Sequence, residues 1–100
     1  MTERRFNTMA KFLIEVPHED KKLECARAVE LFLKTGSHFL KNADWGCMDG
    51  VHKAWIIADA ESKEEAQYML PPVFRSQALI VQLNKFTLED IEEELRHHQD

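Results

Sequence analysis

A chain of 100 residues, 44% of them apolar, is long enough to bury one core without disulfide or metal staples, so a single domain is expected. Its 13 basic residues stand against 18 acidic ones, for a net charge of −5, which argues against a nucleic-acid footprint concentrated on one face. No apolar run is long enough to span a membrane, residues 1–11 contain no signal-peptide core, and two cysteines without dense, even spacing point to a reducing cytoplasm.

Residues 1–8 are polar and unpatterned and read as a flexible N-terminal extension, leaving 9–100 as one domain. Ala10 to Val16 is rich in strand formers and is closed by Pro17, which has no N–H for a ladder. Phe12, Ile14 and Val16 share one face of that strand; Lys11, Leu13 and Glu15 share the other. A helix is predicted from Asp20 to Thr35, with acidic residues at its start and Gly36 at its end. Cys25, Ala26, Val29, Phe32 and Leu33 form its apolar stripe, on which Cys25 reads as an inert small hydrophobe. Ser37 to Asn42 has no clear period, and His38 reads as a loop residue.

Ala43 to Met48 and Val51 to Ala58 are predicted strands about an Asp49-Gly50 turn, because a two-residue type I′ turn needs positive φ at both centres. Ser62 and Glu65 match the capping box of a second helix, which the Pro71-Pro72 pair must end. Ala78 to Phe86 is the fourth strand, with Leu79, Val81 and Leu83 on one face and Ile80, Gln82 and Asn84 on the other. Thr87 caps a last helix, Leu88 to about His97, whose apolar seam is Leu88, Ile91 and Leu95.

This order predicts an α+β domain: a ferredoxin-like βαββαβ unit with a four-stranded antiparallel sheet, order 4-1-3-2, and an added C-terminal helix. Right-handed crossovers put both main helices on one sheet face, yet either parity of the third strand is apolar. A second copy of the chain is the economical cover for the other face, so a homodimer is expected. The layout over residues 10–86 resembles the dimeric α+β barrel superfamily, which includes monooxygenases, isomerases and stress-response proteins. The phrases Ala-Asp-Trp-Gly-Cys and Leu-Asn-Lys-Phe are similar to those of its short bacterial proteins of unassigned function. No catalytic motif of the characterised members has a residue-by-residue match, so the resemblance implies fold and assembly and assigns no active site.

Three sets of residues carry candidate chemistry. In the hairpin register Trp45 falls opposite Ala54, Met48 opposite Val51 and Cys47 opposite His52, while the end of the first strand brings His18 to the same rim. A thiolate and two imidazoles suit Zn²⁺ or a similar transition metal, with Asp49 or water as fourth ligand; the competing reading is a packed cysteine beside a half-exposed histidine. The Cys47-His52 pair also fits an activated thiol, because a neighbouring imidazolium lowers a cysteine's pKa. Finally Glu15, Gln82 and Asn84, with Trp45 and Trp55, could line a small-molecule site between sheets, where desolvation would raise Glu15 toward general-base behaviour. The bland alternative for these residues is a wet sheet face or a dimer contact. The functional expectations are therefore a small-molecule-binding dimer, a metal-binding or metal-responsive protein, or an isomerase- or monooxygenase-like enzyme.

Overall fold

The computed structural model describes residues 9–35 and 37–98, so the extension expected at 1–8 and the helix stop expected at Gly36 lie outside the described residues. The elements are β1 (Ala10–Pro17), α1 (Lys22–Thr35), α2 (His38–Lys41), β2 (Asp44–Trp45), β3 (Lys53–Ala60), α3 (Lys63–Tyr68), α4 (Pro72–Arg75), β4 (Leu79–Leu83) and α5 (Leu88–His97). The strands form one antiparallel sheet in the order β2-β3-β1-β4, the predicted order read from its opposite edge. It is an α+β fold, compatible with a ferredoxin-like arrangement and extended by a C-terminal helix.

Strand alternation decides which side chains meet the helices. Phe12, Ile14 and Val16 of β1 and Ala54, Ile56, Ala58 and Ala60 of β3 project to one face, where they meet Phe32 of α1, Leu40 of α2, Ala66 of α3 and Leu70. Phe12, Phe32, Ile14, Leu40 and Leu70 are each no more than 1% exposed, and burying a side chain of this size contributes about 1.5–3 kcal/mol. The buried stripe of α1 is rotated from the one predicted: Ala28 and Phe32 are buried, whereas Ala26 and Leu33 face solvent. Within Ser37 to Asn42 the residues His38–Lys41 prove helical, capped by the Ser37 hydroxyl accepting from the Leu40 N–H, so His38 sits in a short helix instead of a loop. Local hydrogen bonding by one serine resolves a stretch without hydrophobic period.

The capping signals fare better. Ser62 accepts from the Glu65 N–H at 3.1 Å, although Glu65 reaches back to the N–H of Glu61 instead of closing the box on Ser62. Thr87 and Asp90 complete the reciprocal box of α5. Pro71-Pro72 ends α3 and opens α4, after which the Arg75 guanidinium donates to the carbonyls of Leu70 and Tyr68.

The opposite sheet face carries Leu13, Trp55, Ile57, Leu79, Val81 and Leu83, and Ile57 and Leu79 are more than half exposed. The apolar seam of α5 is exposed as well, and no residue of that helix is buried. On the open face Glu15 accepts from the Trp55 indole at 3.0 Å and from the Lys53 ammonium at 3.1 Å. Those two donors hold its carboxyl below the ordinary value, the reverse of the upward shift expected from desolvation. A depressed carboxylate contributes stability above the unfolded-state pKa and loses it as pH falls through the lower folded value. Glu15→Gln should therefore flatten the decline in urea-denaturation stability below the ordinary carboxyl value of 4.5. An unchanged slope in the variant would show that Glu15 does not carry this linkage.

Candidate metal centre

Pro17 pairs with Lys53 in the β1–β3 ladder, and the next step of that ladder is the His18 N–H donating to the His52 carbonyl at 3.1 Å. The two histidines therefore meet at the rim because antiparallel pairing runs one residue past each strand end. Their rings stand edge to face, 5.8 Å between centroids. Trp45 lies opposite Ala54 as predicted, packs on Phe32 at 4.9 Å and stands 5.8 Å from the His18 ring, walling the site on its core side.

The hairpin tip differs from the predicted two-residue turn. Residues Cys47–Asp49 form a 3₁₀ turn, and positive φ is confined to Gly50, at 85°. The loop is closed from Gly46, whose carbonyl accepts from the Asp49 and Val51 N–H groups and whose N–H donates to Lys53. Met48 therefore points fully into solvent, and neither the Met48-Val51 nor the Cys47-His52 ladder pair forms. Close approach at Gly46 makes this possible: a Cβ there would lie 2.8 Å from the Val51 carbonyl oxygen and 2.9 Å from the Trp55 ring. Overpacking of this kind costs about 1–3 kcal/mol. Gly46→Ala should lose stability in that range by urea denaturation and weaken any ligand held by Cys47; wild-type stability would contradict the close packing.

Cys47 nonetheless reaches the histidines, and a fourth side chain joins them. His18 Nε2 lies 3.0 Å from Cys47 Sγ and 3.0 Å from Cys25 Sγ, and Cys25 Sγ lies 3.1 Å from His52 Nδ1. All four donor atoms fall within 4.8 Å of one another. Bonds of about 2.3 Å to sulfur and 2.0–2.1 Å to nitrogen imply donor–donor edges of roughly 3.3–3.8 Å around a tetrahedral Zn²⁺. The observed separations bracket that figure. Cys25 is thus no inert hydrophobe: α1 follows β1 after a short loop, so its first turn stands at the sheet end where His18 sits. That connection was the available signal; an apolar-stripe reading overlooked it because a half-buried cysteine fits a hydrophobic face equally well.

Asp20 completes the surroundings. Its carboxylate lies 2.7 Å from His52 Nε2, which fixes the proton on that nitrogen and turns the lone pair of Nδ1 toward Cys25. Carboxylate partners of this kind are worth about 10–100-fold in metal affinity. Asp20 is largely exposed, so Asp20→Ala should weaken binding by roughly tenfold, at the low end of that range, in a competition titration with a chromophoric chelator. Equal affinity would remove Asp20 from the site.

Burial pushes the Cys47 thiol up to about 11, with Cys25 adding to the shift. Burial, followed by the neighbouring His52, lowers His18. The surroundings favour neutral thiol and neutral imidazole, so an activated thiolate lacks the electrostatic support expected for it. A divalent cation would supply the missing positive charge. His18 Nδ1 is buried without a hydrogen-bond partner among the described residues.

The predicted small-molecule residues are dispersed. Glu15 and Trp55 bond to each other on the open face, and Trp45 lies on the helix-covered face. Gln82 and Asn84 line a separate open groove of about 720 Å³ with Lys11, Ile57, Leu83 and Lys85. Fold and site together describe a small α+β domain bearing a His₂Cys₂ cluster at one end of its sheet. Compared with known proteins, the chain matches no family model, no curated sequence and no solved structure.

Proposed function

We propose that this protein is a metal-binding protein that holds one Zn²⁺, or an ion of similar softness, through His18, Cys25, Cys47 and His52. The observation that carries this reading is the convergence of four N and S donors from three separate chain segments to within 4.8 Å. Two sulfurs and two imidazoles are the donor set of tetrahedral zinc. Four protein ligands leave no open position for substrate water, so the ion's role is structural or regulatory instead of hydrolytic. Tag-free metal analysis of wild type and of single-ligand variants tests it.

The fold reading that accompanies this is a ferredoxin-like domain working as a homodimer in the cytoplasm. Support for the dimer comes from the exposed Ile57, Leu79 and Val81, beside the half-buried Leu13, on the sheet face opposite the helices. Light scattering over a wide concentration range should give twice the chain mass, and a monomer mass throughout would end the idea. A small polar ligand at Gln82 and Asn84 is the second reading, favoured by the groove those residues line. Among the described residues, no helix is long and apolar enough to cross a membrane.

A further inference from the structure

Resting on the metal reading, we propose that the same site is a thiol redox switch, in which a peroxide joins Cys25 to Cys47 as a disulfide and so expels the ion. The chain has two cysteines, and both belong to the cluster. Neither is in a disulfide, and both are half-buried, within reach of a small oxidant. Each Sγ lies 3.0 Å from the same nitrogen, His18 Nε2, and the two sulfurs are no more than 4.8 Å apart. A bond of about 2.0 Å requires the sulfurs to close by less than 3 Å. Cys47 sits on a three-residue turn whose neighbour Met48 is fully exposed, so that travel displaces no core side chain.

Metal coordination keeps both cysteines as thiolates, the nucleophilic form. One thiolate attacks a peroxide oxygen; the O–O bond breaks, a sulfenic acid forms and hydroxide leaves. The second thiolate attacks that sulfur, the S–S bond forms and a second hydroxide leaves, each hydroxide taking a proton from solvent. Two electrons pass from the sulfurs to the peroxide, and the zinc departs as Zn²⁺ without change of oxidation state. Two imidazoles remain, half of a tetrahedral set, and no longer hold the ion at micromolar concentration. A dithiol reductant reverses the step by exchange.

The test uses the full chain loaded with zinc, treated with hydrogen peroxide at low protein concentration. Released zinc is followed with a chromophoric chelator, and the product is read by intact mass and non-reducing peptide mapping. The expected result is one zinc released per chain, a mass lower by two hydrogens, a Cys25-Cys47 peptide pair, and recovery of zinc binding after reduction. Retention of zinc through excess peroxide overturns the proposal, as does release accompanied only by oxygen adducts or by disulfides between chains. Failure of the metal reading would appear earlier, as no stoichiometric zinc at the loading step. Cys47→Ser, which keeps one cysteine, provides a second check: peroxide should add oxygen to Cys25, and a loss of two hydrogens persisting in this variant would overturn the Cys25-Cys47 assignment.

Discussion

Purified without an affinity tag, the protein should carry one zinc ion per chain, and Cys25→Ala should remove it as completely as Cys47→Ala, His18→Ala or His52→Ala. Cys25→Ala is the decisive variant, because a site built from His18, Cys47 and His52 with Asp49 or water as the fourth ligand would survive it. Asp49→Ala is the matching control: Asp49 is exposed on the 3₁₀ turn and lies outside the four-residue cluster. Loss of a direct ligand should exceed the ~10–100-fold range known for outer carboxylate partners, separating these variants from Asp20→Ala. Cobalt substitution gives an independent reading, because a tetrahedral N₂S₂ site produces intense visible ligand-field bands and a near-ultraviolet thiolate charge-transfer band. Wild type with no stoichiometric metal, and no cobalt spectrum on addition, would sink the assignment.

The second large effect is on stability. An ion that binds the folded state alone at a free concentration of 1,000 times its Kd stabilises by about 4 kcal/mol. For a domain of this size each kcal/mol shifts Tm by about 4–8 °C, so zinc should raise Tm by roughly 15–30 °C. A chelator should reverse the shift, and Cys25→Ala should show little of it. The pH dependence has a fixed sign. Since the Cys47 thiol is pushed up to about 11, it is protonated at neutral pH and must release that proton to bind. Acid therefore weakens binding, by up to about tenfold per pH unit for each thiol displaced. His18, lowered from its ordinary 6.5, begins to compete for protons only below that value. Calorimetric Tm with and without zinc across pH 5–8 checks this, and an equal zinc shift at both ends would contradict thiol ligation.

Much of the fold was legible in local chemistry. Strand alternation put Phe12, Ile14 and Val16 on one face of β1, which the fold buries, Thr87 marked the start of α5, and the double proline marked the end of α3. Antiparallel order brought His18 to His52 by backbone logic alone. What escaped depended on tertiary choices between locally equivalent states. Asp49-Gly50 is compatible with either a type I′ turn or a 3₁₀ turn ending in a left-handed glycine, and the selection was made at Gly46, where only a residue lacking Cβ lets Val51 and Trp55 close in. Cys25 was missed because its residue type suits both a packed helix face and a ligand set; only the position of α1 at the sheet end separates them. The expectation for Glu15 failed because it weighed desolvation without the indole and ammonium donors that β3 brings opposite it.

The spacing of the cluster along the chain bears on how the molecule assembles. His18 and Cys25 are 7 residues apart, and Cys47 and His52 share one hairpin, but His18 and Cys47 are separated by 29 residues. Each half of the cluster can therefore form early from nearby sequence, while joining the halves coincides with docking β1 on β3. Pairing of that kind is the slow, entropically costly step in folding a mixed domain. An ion captured by one half would tether the other, raising its local concentration at the moment the central ladder must find its register. Refolding should then be accelerated by zinc, with the gain confined to the rate of β1–β3 closure.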